Sequence, residues 1–128
     1  MDSYHLDLGT RDRLQTLDGR YDERAYAFVL ASLEDVVSRL PRRRHVSGRE
    51  LAGGCRELAL RLYGPLAKTV LQHWNVRTTR DFGEVVFNLL EVGVLSKDDA
   101  DARTDFDDLF DFTEVFETHY PWGGRSRA

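Results

Sequence analysis

The sequence predicts a mainly α-helical single domain of about five helices. Apolar residues recur at steps of three and four along most of the chain, a spacing typical of amphipathic helices. Helix-start signals precede these stretches, and a length of 128 residues suits one domain. We expect a polar N-terminal segment over residues 1–20, a helical domain over residues 21–120 and a loose C-terminal tail over residues 121–128.

The first predicted helix follows Asp22 and ends near Leu40. The Asp22 carboxylate suits the N-cap because it can accept an unpaired backbone N–H. Pro41 ends the helix because proline disfavours helical geometry in the residue before it. The apolar stripe of this helix consists of Ala25, Phe28, Val29, Leu33, Val36, Val37 and Leu40.

The second predicted helix has the clearest start. Ser47 and Glu50 stand at the spacing of a capping box, in which each side chain accepts the other residue's backbone N–H. Gly53 and Gly54 lie inside this helix, where each costs about 1 kcal/mol relative to alanine. Two such residues in one helix indicate close packing against a neighbouring helix.

Three further helices are predicted toward the C-terminus. The third begins at Gly64-Pro65, and Asn75 suits the left-handed position at its end. The fourth begins at Thr78, which can form a second capping box with Asp81. Asp111 suits the cap of a final helix.

Residues 94–112 leave two alternatives open, a loop or a small β-hairpin. With a hairpin, residues 47–112 would form a winged-helix-like arrangement of three helices and a wing. The third of those helices would turn four polar side chains toward a DNA groove: Arg77, Thr79, Arg80 and Asn88. The aspartates of the wing argue against DNA binding because they would repel the phosphates.

Charge is divided unevenly along the chain. Residues 20–80 hold twelve Arg or Lys and six Asp or Glu, whereas residues 81–120 hold two basic and twelve acidic residues. The net charge of −4 therefore hides a dipolar molecule. A basic face on a small domain indicates a polyanionic or acidic partner.

A polybasic turn before the second helix is the leading candidate for a contact site. Arginine presents a planar fork of donors that matches phosphate oxygens. The N–H groups of the helix that follows Ser47 also favour anions. The predicted anion or nucleic-acid contacts are Arg39, Arg42, Arg43, Arg44, His45, Arg49 and Arg56. The alternative is that this turn docks on the acidic segment of the same chain.

An acidic strip over residues 98–111 is the second candidate. The predicted docking residues within it are Asp98, Asp99, Asp101, Asp105, Asp107 and Asp108. It lacks the glycine turn and the terminal glutamate of a calcium-binding loop. The strip is therefore interpreted as a docking surface for a basic partner or as a solvated loop.

The residues point to a binding module rather than an enzyme. No catalytic, cofactor-binding or metal-binding residue is predicted, because the histidines and Cys55 show no pair at metal-ligand spacing. A single cysteine, no apolar signal-like run and no bilayer-spanning stretch lead us to expect a cytoplasmic protein without a membrane partner. The expected partner is RNA, a nucleoprotein or an acidic protein. The alternatives are a protein–protein adaptor using the acidic strip and an enzyme acting on a phosphate-bearing substrate.

Three stretches of sequence resemble an uncharacterised family of small bacterial proteins. They are residues 26–29 (YAFV), residues 45–51 (HVSGREL) and residues 81–93 (DFGEVVFNLLEVG). The Asp-Phe pairs at 105–106 and 111–112 fit the same pattern, so the resemblance spans about residues 21–120. It implies a bacterial single-domain protein and brings no activity, cofactor or ligand with it.

Overall fold

Five α-helices make up most of the chain that the structure describes. The structure, a computed structural model, describes residues 6–42, 44–95 and 103–118. Its α-helices are α1 (Leu8–Leu17), α2 (Glu23–Ser38), α3 (Gly48–Tyr63), α4 (Ala67–His73) and α5 (Thr79–Glu91). Two 3₁₀ turns (Gly64–Leu66 and Arg103–Phe106) and one π-helical turn (Glu114–Thr118) are also present. The predicted mainly helical class is confirmed.

The small β-hairpin expected between residues 94 and 112 is not supported. The described part of this stretch contains no strand, and Arg103–Phe106 forms a 3₁₀ turn. Residues 96–102 lie outside the described residues. Phe106 and Phe112 are buried and hold irregular backbone against the helices. The stretch therefore lacks the alternation of buried and exposed side chains that a strand requires. The winged-helix-like alternative therefore has no wing in the described residues.

The helix boundaries follow the capping signals in the sequence. Asp22 caps α2 by accepting the N–H of Arg24 at 2.8 Å. The reciprocal hydrogen bonds of Ser47 and Glu50 at the start of α3 form the predicted capping box. Asn75 adopts the expected left-handed backbone after α4, with φ of 69°. Local side-chain chemistry therefore determines where these helices begin and end.

Helix α1 lies inside the N-terminal segment for which the sequence predicted no helix. Asp7 caps it by accepting the N–H of Thr10 at 2.8 Å. Leu14 is the one residue of α1 whose side chain is buried. One buried position gives no periodic stripe, which is why the apolar pattern did not reveal this helix.

The closest approach between α2 and α3 occurs at Gly54. A Cβ atom on Gly54 would clash with Cγ2 of Val36 and would lie 3.6 Å from the carbonyl oxygen of Ser32. Gly53 has no neighbouring atom within 4 Å of its Cβ position. The prediction of close packing therefore holds for Gly54 and not for Gly53.

Residues 105–112, named here the docked segment, pack on α3 and α5 through Phe106. The ring of this buried residue lies 3.0 Å from the Cβ position of Gly48 in α3 and 2.9 Å from that of Gly83 in α5. The backbone N–H of Leu109 donates to the hydroxyl of buried Thr79 at 3.1 Å. Two glycines thus form a slot that admits an aromatic ring and brings the acidic part of the chain onto the helical body.

We expect the two glycines of α3 to respond oppositely to alanine. Gly53→Ala should raise the free energy of unfolding by about 0.5–1 kcal/mol, because alanine favours the helix and meets no neighbour. Gly54→Ala should lower it by about 1–3 kcal/mol, because the new methyl group displaces Val36. Urea denaturation of both variants measures the difference, and equal stability of the two would contradict the packing described for α2 and α3.

Candidate anion-binding face

Six arginines surround the end of α2, the loop after it and the outer side of α3. We name this surface the arginine face, and its described members are Arg39, Arg42, Arg44, Arg49, Arg56 and Arg61. Residues 35–61 contain seven arginines and three carboxylates, a balance of +4. Arg43, which the sequence also places in this set, lies outside the described residues.

Asp35 orients two of these arginines. Its Oδ2 atom accepts from Nη2 of Arg61 at 2.6 Å and also from Nη2 of Arg39, one turn further along α2. The two guanidinium groups therefore lie side by side between α2 and α3. The sequence did not predict the pairing of Arg61 with Asp35, because the two residues are 26 positions apart and lie in different helices.

A second carboxylate, that of Glu50, holds Arg44. Nη1 and Nη2 of Arg44 donate to the two oxygens of Glu50 at 3.0 and 2.7 Å, a bidentate pair. The same carboxylate accepts the N–H of Ser47 at 2.9 Å. Hydrogen bonds from Arg44 and then from Ser47 lower the pKa of Glu50 to about 2. Glu50 is thus ionised under ordinary conditions and keeps Arg44 in place.

Arg42 and Arg49 have no carboxylate partner among the described residues. Both side chains are exposed, and neither makes a hydrogen bond or an ion pair within this part of the chain. Arg56 lies 3.8 Å from Glu57, and its guanidinium carbon stands 5.8 Å from the ring centre of Phe110. His45 is exposed, and its carbonyl oxygen accepts from Arg44 at 2.8 Å. The turn therefore combines fixed guanidinium groups with unpaired ones.

The N-terminus of α3 contributes less to this face than the sequence suggested. The capping box of Ser47 and Glu50 already uses N–H groups in the first turn. Cβ of Asp105 lies 3.3 Å from the Cβ position of Gly48, the first residue of the helix. An incoming anion would therefore meet a carboxylate beside the helix end, so the guanidinium groups must supply the attraction.

Burial of two residues argues against the alternative helix-face contact, which comprises Arg77, Thr79, Arg80 and Asn88. Thr79 is 1% exposed and accepts from Leu109, while Asn88 is 6% exposed and donates to Asp18 at 2.8 Å and to Tyr26 at 3.1 Å. Arg77 and Arg80 are exposed. A helix whose Thr79 and Asn88 face inward cannot present this set of side chains to a groove.

The predicted acidic strip is described only in part. Asp98, Asp99 and Asp101 lie outside the described residues. Asp105 and Asp108 are exposed, and Asp107 is half-buried, 4.0 Å from Nε of Arg80. The strip therefore touches the basic part of the chain, yet Arg39, Arg44 and Arg61 are paired with Asp35 and Glu50 instead. Among the residues that the structure describes, these three arginines therefore do not dock on the acidic strip, which was the alternative expected for the polybasic turn.

A cleft of about 300 Å³ opens beside the start of α5. Its lining comprises Arg77, Thr78, Thr79, Asp108, Phe110, Asp111 and Phe112. The rings of Phe110 and Phe112 are nearly parallel, with centroids 5.8 Å apart. None of the arginines of the arginine face lines this cleft, but the guanidinium group of Arg56 stands over the ring of Phe110, so the two surfaces adjoin.

The described residues offer little for nucleophilic or metal chemistry. Cys55 is fully buried, and desolvation raises the pKa of its thiol to about 12, so the reactive thiolate is suppressed. Within the described residues no group of three or more His, Cys, Asp or Glu side chains could hold a metal ion. None of the helices in these ranges is long and apolar enough to cross a bilayer.

Comparisons with known proteins identify no relative of this chain. No protein-family model, no curated protein and no solved structure matches the chain. The resemblance to small bacterial proteins therefore stays a prediction, and the site is interpreted from its own geometry.

We expect Glu50 to make stability depend on pH in the acid range. Because the pKa of Glu50 is about 2 in the folded chain and 4.5 in its ordinary state, its ionised form stabilises the fold above pH 4.5. This contribution is lost as the pH falls from 4.5 toward 2. Glu50→Gln should lower Tm by about 1–4 °C at pH 7, since the pair is partly exposed, and by much less at pH 2.5.

Thermal unfolding of the wild type and of Glu50→Gln between pH 7 and pH 2.5 measures this effect. Glu57→Gln is the matched control, because Glu57 lies on the same helix and makes only a 3.8 Å contact with Arg56. Its pH profile should follow that of the wild type. A Glu50→Gln deficit that stays constant down to pH 2.5 would refute the assignment.

Proposed function

We propose that this chain is a non-enzymatic binding module whose arginine face contacts the phosphate backbone of RNA, free or within a nucleoprotein. One observation carries the proposal: Arg42 and Arg49 are exposed without a partner in the described residues, beside neighbours that carboxylates hold in fixed positions. The unpaired guanidinium groups attract phosphates, and the paired ones present hydrogen-bond donors in fixed directions.

The paired arginines still have donors to offer. Their side chains remain 53% (Arg39), 48% (Arg44) and 50% (Arg61) exposed. A guanidinium group has five N–H donors, and pairing with one carboxylate uses at most two of them. Asp35 compensates one of the two charges that it holds. The pair of Arg39 and Arg61 therefore keeps a positive charge and outward donors.

The kind of cation on this face favours phosphate. All the basic residues from 35 to 61 apart from His45 are arginines, and none is lysine. The guanidinium fork binds phosphate oxygens in pairs, whereas an ammonium group acts as a point charge. Thr79 and Asn88 are buried and cannot contact bases, which also favours contact with the RNA phosphate backbone over recognition of base edges. Binding is therefore expected to depend on salt and little on sequence.

Removal of the two unpaired arginines should weaken RNA binding. We expect Arg42→Ala/Arg49→Ala to bind a fluorescent 20-nucleotide single strand about tenfold more weakly at low salt. The slope of log K against log salt should fall by about 1.4, because each lost phosphate contact on a single strand contributes about 0.7. Fluorescence anisotropy over a salt series measures both quantities.

The control removes the same charge elsewhere. Arg11→Ala/Arg24→Ala changes two arginines that lie near the other end of α2, where Arg24 is about 22 Å from Arg39 along the helix axis. This variant should retain most of the affinity. Equal losses in the two double variants would show an effect of net charge alone, and RNA binding by the wild type that does not weaken with salt would overturn the proposal. Displacement of the RNA by polyglutamate at equal charge would point to an acidic protein instead.

The cleft beside α5 supports a second candidate function, an adaptor that receives a basic side chain through the acidic strip. Carboxylates of Asp108 and Asp111 and the rings of Phe110 and Phe112 line this cleft, and aromatic faces attract cations. Arg56 already stands over one of these rings. The arrangement fits a guanidinium or ammonium group of a basic peptide.

An NMR titration with a short arginine-containing peptide tests this adaptor. The largest amide shifts should fall at residues 108–112, and Asp108→Asn/Asp111→Asn should remove them. Exposed Glu91 on α5 reports nonspecific attraction between charges. Shifts at Glu91 as large as those in the cleft would refute a defined site.

A further inference from the structure

The docked segment lies against the same side of α3 that carries part of the arginine face. Arg49 and Arg56 are seven residues apart on α3 and therefore share one side of the helix. Phe110 of the docked segment lies under the Arg56 guanidinium at 5.8 Å. Asp105, at the other end of the segment, lies beside Gly48, next to Arg49. Both arginines therefore have the segment as a neighbour.

The carboxylate of Asp105 is positioned to compete with an incoming phosphate. Its Cβ atom is 3.3 Å from the Cβ position of Gly48, which places it within about 9 Å of the Cα atom of Arg49. Asp105 is exposed and has no ion-pair partner in the described residues. Because the Debye length is about 8 Å in physiological salt, we expect a carboxylate on this Cβ atom to weaken the attraction of Arg49 for an anion.

The attachment of this segment depends on close contacts rather than on strong ion pairs. Phe106 occupies the slot between Gly48 and Gly83, and one hydrogen bond joins Leu109 to Thr79. At the other end of the segment, buried Phe112 packs against Phe82 with ring centroids 5.6 Å apart. Asp107 and Arg80 stand 4.0 Å apart with side chains 41% and 71% exposed, so this pair adds little. A change in the slot should therefore release the Asp105 end of the segment while every charge of the molecule stays in place.

We propose that residues 105–112 act as an intramolecular competitor of the polyanion at Arg49 and Arg56, so that release of the segment increases affinity for RNA. This inference rests on the proposed function and adds its regulation. Docked, the segment engages Arg56 and shields Arg49. Released, it leaves both guanidinium groups to phosphates. A partner that takes Phe106 out of its slot would thereby switch on the arginine face.

Two independent perturbations test the competition. Gly83→Ala places a methyl group where the Phe106 ring now lies and changes no charge; Gly53→Ala, on open surface, is its control. Asp105→Asn removes the carboxylate beside Arg49; Asp108→Asn, which removes the same charge from the cleft side, is its control. RNA affinity is measured by anisotropy, and hydrogen exchange at the Leu109 amide reports release of the segment.

We expect Gly83→Ala to accelerate exchange at Leu109 and to raise RNA affinity about threefold to tenfold, with Gly53→Ala unchanged. Asp105→Asn should raise the affinity about twofold to threefold, and clearly more than Asp108→Asn. If the Leu109 amide stays protected in Gly83→Ala, Phe106→Ala releases the segment by removing the ring itself.

The outcomes separate this inference from the proposed function. Salt-dependent RNA binding by the wild type that neither release nor Asp105→Asn strengthens would overturn the competition alone. Binding that appears only after release would support it. Absence of binding in the wild type and in every released variant would overturn both. Equal gains for Asp105→Asn and Asp108→Asn would show a general charge effect and contradict the assigned position.

Discussion

The contact of α2 with α3 at Gly54 determines the geometry of the arginine face. Val36 fills the space that a side chain on Gly54 would occupy, so the two helix backbones approach closely at this point. Asp35 precedes Val36 on α2 and reaches Arg61 across the interface. A wider separation of the helices would carry Asp35 away from Arg61 and leave Asp35 paired with Arg39 alone. The apolar contact between Val36 and Gly54 thus positions the ion pair between Asp35 and Arg61.

Carboxylates within a basic surface have a positioning role in this fold. Asp35 and Glu50 each cancel one charge, but they fix the directions of Arg39, Arg44 and Arg61, which would otherwise lose much rotamer freedom on binding. Preorganised donors lose less entropy when a ligand arrives. Charge counting along the sequence treats these two acids only as a loss of positive charge, whereas their contacts also fix the directions of three guanidinium groups.

The sequence predicted the local features well and the long-range ones poorly. Caps at Asp22 and Ser47 and the left-handed Asn75 are set by a few neighbouring residues, so short motifs reveal them. Helix α1 escaped notice because it buries only Leu14. The partners of Arg61 and Thr79 lie 26 and 30 positions away, and no local pattern encodes such a pairing. For part of the candidate site, the sequence could therefore predict that charged residues are abundant but not how they are paired.

The slot between Gly48 and Gly83 determines where the acidic residues around Phe106 lie relative to the arginines. Attraction between exposed charges acts over a Debye length and has no preferred orientation, so by itself it would hold the acidic residues loosely near the arginines. Phe106 supplies the orientation, because its ring fits one place only, and Asp105 follows its neighbour to the start of α3. The aromatic residue sets the position, and the carboxylate beside it sets the electrostatic effect. In the proposed competition, affinity for an anion depends on an uncharged contact, which a partner would disrupt without having to compete with every carboxylate.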